Sequence, residues 1–147
     1  MLTKFAVKNY RGFKNKIEWD LSHPSSYTFN VNAIKNGVVK NGIIYGPNGS
    51  GKTNLSLALF DIVNHLTQKF KKADYYKNFI FTGRQDSLVE FEYTFKFDEQ
   101  LIQYDYAKAR DGKLINECLV VDGEIVFNRK GKELTIDTTS FPMEAMF

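Results

Sequence analysis

The residues with the clearest chemical potential are Gly46–Thr53, which read Gly-Pro-Asn-Gly-Ser-Gly-Lys-Thr. They fit the phosphate-loop pattern G-x-x-x-x-G-K-[ST] at every fixed position. Glycines let backbone N–H groups converge closely on an anion, and they adopt positive φ at low cost. In this pattern Lys52 is expected to reach the β- and γ-phosphates, and Thr53 to ligate Mg²⁺. The spacing therefore predicts a polyphosphate site.

The flanking residues predict the elements that position this loop. Ile43-Ile44-Tyr45 is a short apolar, β-prone run, which predicts a strand directly before the loop. Apolar residues then recur at helical spacing, which predicts one helix reaching about Phe70. These residues are Leu55, Leu59, Ile62, Val63, Leu66 and Phe70. Asp61, Asn64 and Gln68 are expected on the opposite, solvated face. This setting disfavours the alternative of a glycine-rich turn that carries a surface lysine.

The composition indicates one globular domain. The chain has 147 residues, of which 43% are hydrophobic and 15% aromatic. Its 20 basic and 17 acidic residues give a net charge of +3, which is no evidence for nucleic acid binding. The single cysteine excludes an internal disulfide and a cysteine-based zinc site. Because the sequence shows neither a membrane-spanning apolar run nor a signal peptide pattern, the expected location is the cytoplasm.

The first part of the chain predicts short strands. Residues 2–9 alternate in polarity, as do residues 17–21, and the turn between them predicts a hairpin. Residues 27–31 are interpreted as another short strand. Around Val38-Val39 the pattern fits either a loop or a short edge strand.

From Ser87 onward the polarity alternates with period two, and turn signals recur at short intervals. This predicts an antiparallel meander of about five strands. The segment Leu119–Glu124 also fits an apolar strand whose terminal acidic residue holds Mg²⁺. A hairpin at Asp122-Gly123 is favoured, because Asp-Gly between β-runs is a strong turn signal. The predicted domain thus has a phosphate-loop core over 1–85 and a meander over 86–137.

These motifs also carry a family resemblance. Gly46–Thr53, followed by Asn54, resembles the Walker A motif of ABC-type ATPases in the SMC and RecF branch. Val7–Phe13 resembles the first hairpin of that branch, whose bacterial members include AAA-type ATPases of DNA repair and OLD-like phage defence. The resemblance implies an α/β (α+β) P-loop NTPase lobe of ABC type. That lobe would have a mixed sheet around one long P-loop helix, with an antiparallel β-meander on its C-terminal side.

The resemblance also implies ATP and Mg²⁺ as cofactors. The implied nucleotide-binding residues are Asn48, Gly49, Ser50, Gly51, Lys52, Thr53 and Asn54, with Arg11 and Gly12 close to the nucleotide and Thr53 on the metal. No catalytic residue is assigned, because no signature motif, Walker B or switch histidine is found. Hydrolysis is expected to need a C-terminal half or a partner chain, such as a second copy, and to be weak or absent in this chain alone.

Two other functions are compatible with the sequence. One is a non-catalytic interaction module that docks through the meander, with an idle phosphate loop. The other is a P-loop kinase, which the meander disfavours because such folds usually continue with further βα units.

Overall fold

A computed structural model describes residues 1–26, 31–67, 76–84 and 87–139. Nine strands and two short helices make up the regular elements of these residues. The strands are β1 Leu2–Lys8, β2 Ile17–Asp20, β3 Ile34–Lys35, β4 Val38–Val39, β5 Val89–Phe97, β6 Gln100–Lys108, β7 Leu114–Val121, β8 Glu124–Lys130 and β9 Glu133–Ile136. The helices are α1 Lys52–Leu59 and α2 Asp61–Thr67. Single 3₁₀ turns cover Val31–Ala33 and Thr82–Arg84.

Seven of these strands form one antiparallel sheet in the order β2-β1-β5-β6-β7-β8-β9. The first hairpin joins the meander through β1 and β5, where Phe5 lies opposite Tyr93. The predicted hairpin and five-stranded meander are therefore confirmed. Asp122 and Gly123 both have positive φ, at 52° and 89°, and connect β7 to β8. The hairpin interpretation of this segment is confirmed as well.

The alternating pattern of the strands gives the sheet two different faces. Phe91 and Tyr93 of β5 are buried, whereas Glu90 and Glu92, which alternate with them, are partly exposed and pair with lysines on the other face. The buried face packs against the helices around an aromatic core to which sheet, turn and helix residues contribute. The core residues are Phe5, Val7, Tyr10, Ala58, Phe79, Ile80, Val89, Phe91, Tyr93, Tyr104 and Tyr106.

The predicted mixed sheet is wrong. Every strand pair within the described residues is antiparallel, and residues 43–45 belong to no strand. Ile43 and Tyr45 are each 91% exposed. The physical reason is that β-propensity is a local preference, whereas a strand forms by pairing with a neighbour. The α/β (α+β) fold class of the ABC-type lobe is replaced by a mainly β fold.

The predicted long helix is wrong too. It is divided at Phe60 into α1 and α2, and residues 68–70 lie outside the described residues. Asp61 is fully buried rather than solvated, while Val63 and Leu66 are 49% and 64% exposed. Hydrogen bonds from Tyr106 and Lys108 hold the Asp61 carboxylate against the sheet, so α2 turns its acidic residue inward. The spacing of apolar residues along a helix gives no sign of such a polar contact with a distant strand.

The remaining short elements lie before the loop. β3 and β4 form a separate two-stranded hairpin, which confirms the edge-strand alternative around Val38-Val39. Most of the strand predicted over 27–31 falls outside the described residues, and Val31 opens a 3₁₀ turn. None of the helices in the described ranges is long and apolar enough to cross a membrane.

Candidate phosphate-binding site

The loop that follows residue 45 is a compact turn held by its own backbone. The Ser50 N–H donates to the Pro47 carbonyl at 3.3 Å. Gly49 and Gly51 have φ of 81° and 94°, in the left-handed region where a glycine is favoured. Gly51 is the N-cap of α1, so the helix begins within the loop motif, at Lys52.

Two glycines of the loop also allow close approach. A Cβ at Gly46 would lie 2.9 Å from Ser50 Oγ, inside the loop itself. A Cβ at Gly51 would lie 3.1 Å from Cε1 of Phe13, in the turn after β1. The glycine pattern therefore serves both conformation and packing, and the turn at residues 9–13 supports the loop from outside.

Lys52 is held over the loop that precedes it. Its Nζ donates to the carbonyl oxygens of Gly46 at 2.6 Å and Pro47 at 2.8 Å. An ammonium group has three donors, so these two bonds leave one for a ligand oxygen. The positive charge is thus fixed at the loop before any anion arrives.

The loop and the start of α1 enclose a pocket of about 310 Å³. Its lining consists of Asn48, Gly49, Ser50, Gly51, Lys52, Thr53 and Asn54. The first intrahelical bond runs from the Leu55 N–H to the Gly51 carbonyl, so the N–H groups of Lys52, Thr53 and Asn54 precede it. Seven of the nine residues expected from sequence, those at 48–54, therefore line one pocket.

Arg11 and Gly12 lie beside this pocket but not in its lining. A Cβ at Gly12 would lie 3.3 Å from Asn54 Nδ2, which places the turn against the start of α1. Arg11 Nε donates to the Tyr10 hydroxyl at 3.1 Å. Direct contact of either residue with a nucleotide stays a prediction.

Asn9 is a residue whose importance sequence reasoning missed. Its side chain is buried and its φ is 57°. Its Nδ2 lies 3.2–3.3 Å from the carbonyl oxygens of Arg84, Ser87 and Leu88. Asn9 therefore ties the turn that supports the loop to the segment leading into β5. The available signal was the tolerance of asparagine for left-handed backbone.

A larger groove of about 430 Å³ lies between β2, α1 and the residues before the loop. It is lined by Phe5, Ile17, Glu18, Trp19, Ile43, Ile44, Tyr45 and Leu55. This lining is mainly apolar and contains one carboxylate and no cation. It does not suit a polyphosphate, so the smaller polar pocket is the candidate site.

Behind α1 and α2 lies a buried polar cluster. Asp61 Oδ2 accepts hydrogen bonds from Lys108 Nζ at 2.6 Å and from the Tyr106 hydroxyl at 2.8 Å. The Tyr93 hydroxyl donates to the Ala58 carbonyl at 2.9 Å. Burial lowers the pKa of Lys108, and the Asp61 carboxylate partly opposes that shift. Burial also raises the pKa of Tyr106 well above its ordinary value, so this hydroxyl stays a donor.

A second cluster continues along α2. The His65 ring stacks on Tyr106 with 4.3 Å between ring centroids, and its Nε2 lies 2.8 Å from the Tyr104 hydroxyl. Tyr104 donates to Glu117, which also pairs with Arg129. Burial, and then the charge of Lys108, lower the pKa of His65. The sequence around His65 does not indicate these contacts, because the partners come from β6 and β7.

The pocket offers Mg²⁺ only one ligand from the protein, so phosphate oxygens and water would have to supply the others. No group of three or more His, Cys, Asp or Glu residues that could hold a metal occurs in the described part of the chain. Thr53 is exposed at the pocket and offers one hydroxyl ligand. Mg²⁺ commonly keeps several waters and takes its other ligands from phosphates, so a single protein ligand is compatible with its chemistry.

Neither a scan against protein-family models nor a search of curated proteins returns a match for this chain. The antiparallel sheet and the divided helix likewise differ from the expected ATPase lobe. The predicted membership of the ABC, SMC and RecF-like ATPases is therefore wrong. The loop pattern alone does not carry that assignment, because a short motif reports local backbone chemistry rather than the sheet around it.

Proposed function

We propose that residues 48–54 bind the polyphosphate of a Mg²⁺-bound nucleoside triphosphate, with ATP as the expected ligand. The observation that carries this proposal is the placement of Lys52, whose ammonium is fixed on the Gly46 and Pro47 carbonyls above the loop. Its remaining donor and its charge are available to a phosphate oxygen.

The other parts of the pocket complement the lysine. Gly49 and Gly51 give the loop the left-handed positions that let neighbouring N–H groups converge on an anion. The start of α1 adds the N–H groups and the positive end of the helix dipole. The Thr53 hydroxyl is the proposed Mg²⁺ ligand, with phosphate oxygens and water as the others.

We expect this chain alone to hydrolyse ATP slowly or not at all. Phosphoryl transfer requires a positioned water and charge neutralisation beyond the loop. The seven residues that line the pocket include no carboxylate. Groups from a partner chain would have to complete a hydrolytic site. The partner and a cytoplasmic location stay predictions.

Calorimetric titration with ATP, ADP and AMP, each with and without Mg²⁺, tests the proposal. Affinity should fall by about tenfold or more from ATP or ADP to AMP, since the loop recognises the phosphate chain rather than the base. Thr53→Val should remove most of the Mg²⁺ dependence. Equal affinity for all three nucleotides would contradict a polyphosphate site, and rapid turnover by the isolated chain would contradict the second expectation.

A second candidate is a binding module that docks through the meander. Large apolar side chains of β5, β6, β8 and β9 are partly exposed, with Phe97 and Ile125 at 53% and 52%. Such patches are typical of protein contact sites. Light scattering over a range of concentrations separates the candidates. Association that Phe97→Ser weakens, in a chain that does not bind nucleotide, would favour the binding module.

A further inference from the structure

We propose that Asp61 is a positioning residue for the phosphate loop. Through its ion pair with Lys108, it sets the orientation of the helices that begin at Lys52, and so the geometry of the pocket. This inference rests on the proposed function and adds a determinant outside the pocket.

The helices provide the mechanical path. α1 starts in the loop and only Phe60 separates it from α2. The Phe60 N–H donates to the Ser56 carbonyl at 3.1 Å, so the hydrogen bonding of α1 continues into the joint. Eight helical residues span about 12 Å. A tilt imposed at Asp61 is therefore passed along a short, hydrogen-bonded element to Lys52.

The contacts that fix this tilt are directional. Strands β5 and β6 supply three hydroxyl or ammonium donors, namely Tyr93 to the Ala58 carbonyl and both Tyr106 and Lys108 to Asp61. Ala58 and Asp61 are the fully buried residues of the described helices. The other apolar contacts of α1 and α2 are half-buried and non-directional. The two donors on Asp61, together with Tyr93 on Ala58, thus define the geometry of the helix pair where α1 meets α2. The 2.8 Å contact of His65 Nε2 with Tyr104 adds to it further along α2.

The energetics of a buried ion pair point the same way. Removing two charges from water is costly, and apolar residues of similar size often stabilise a fold at least as well. Lys108 and Asp61 are 2% and 0% exposed at their side chains. A buried pair of this kind is better explained by the orientation that it gives the helices than by a gain in net stability. The helix α1, which it helps to orient, begins in the phosphate loop.

The test combines nucleotide affinity with the backbone amide signals of Gly49 and Gly51 in ligand-free protein. The variants are Asp61→Asn, Lys108→Met and the double variant that carries both changes. Val126→Ala is the control, because Val126 is buried on β8 outside the core that contacts the helices. All measurements are made where each protein is folded by circular dichroism.

Asp61→Asn and Lys108→Met should weaken Mg·ATP binding by roughly three- to tenfold, the range for residues that act on a site through an intervening element. Both should shift the Gly49 and Gly51 amide signals. Val126→Ala should change neither property, although it lowers stability. The double variant should recover stability, because no buried charge lacks a partner, while its affinity stays low.

Three results would overturn the inference. They are wild-type affinity and amide signals in both single variants, an equal loss of affinity in Val126→Ala, or an affinity that recovers together with stability in the double variant. If wild-type protein binds no nucleotide, the proposed function fails. The loop amide signals of the ligand-free variants then still decide whether Asp61 sets the loop geometry.

Discussion

The Lys108 ammonium lies 2.6 Å from the Asp61 carboxylate, and both side chains are almost completely shielded from solvent. The pair joins the strand β6 to the start of α2, 47 residues apart in sequence. It explains why α2 presents an acidic residue to an aromatic core.

Removing one partner of this pair should strongly destabilise the fold. Asp61→Ala leaves the Lys108 ammonium buried without its carboxylate, which should cost about 3–5 kcal/mol in the free energy of unfolding. The change is measured by urea denaturation. The double variant Asp61→Leu with Lys108→Met should regain most of this loss. A cost below about 1 kcal/mol for Asp61→Ala would show that water reaches the pair.

His65 should make stability depend on pH. Burial lowers its pKa in the folded protein below the ordinary value of 6.5. Above 6.5 the ring is neutral in both states. As the pH falls below 6.5, the unfolded chain takes up a proton first, so stability is lost until the pH passes the folded-state pKa. Lys108 and Arg129 disfavour the protonated ring, whereas Glu117 and Asp61 favour it.

The measurement is the unfolding free energy between pH 7.5 and pH 5 for wild type and His65→Gln. The variant should lose less stability over this interval, since its residue 65 does not titrate. His23→Gln is the matched control, because that histidine is 85% exposed at its side chain. A His65→Gln curve with the full wild-type loss would assign the pH dependence to other groups.

Gly51→Ala should disturb the loop more than an equivalent change elsewhere. At φ 94° an alanine is strained by about 1–2 kcal/mol, and its Cβ also meets the Phe13 ring at 3.1 Å. Gly37→Ala is the comparison, because Gly37 has φ 75° and a Cβ there would meet no other atom within 4 Å. Urea denaturation should show a larger loss for Gly51→Ala. Equal losses would mean that the Phe13 contact relaxes without cost.

Asn9→Asp should be severely destabilising. It places a carboxylate against the carbonyl oxygens of Arg84, Ser87 and Leu88, where the wild-type amide donates. A buried carboxylate facing acceptors should cost about 2–4 kcal/mol, or remain protonated with a raised pKa. Asn36→Asp is the control, since Asn36 also has positive φ but is exposed. Similar effects of the two changes on thermal stability would contradict this role of Asn9.

The strands of the meander could be predicted because polar and apolar residues alternate along each strand, and turn-forming residues stand between the strands. Asp122-Gly123 is an example, where two adjacent residues define the hairpin. The loop residues 48–54 also gather as their spacing predicts, because the chain between them is short. These features depend on neighbours in sequence.

The predictions that were wrong or missing concern residues whose contacts depend on parts of the chain far away in sequence. The helical pattern places Asp61 on the solvated face because no local signal shows its partner Lys108, which lies on strand β6. The residue types at 43–45 predict a strand, although no strand in the described residues pairs with them. The role of Asn9 is not visible in the local sequence, because its three acceptors lie 75, 78 and 79 residues further along the chain.

The most direct test of the central claim is the affinity of Mg·ATP for wild type, Lys52→Ala and Lys132→Ala. Lys132 is an exposed lysine in the turn between β8 and β9, so its loss changes net charge equally. Removing the ammonium that is held over the loop should weaken binding by at least about tenfold, as expected for a charge-assisted bond to phosphate. Lys132→Ala should bind like wild type. Equal affinity of Lys52→Ala and wild type, or no binding by wild type, would contradict a phosphate site at this loop.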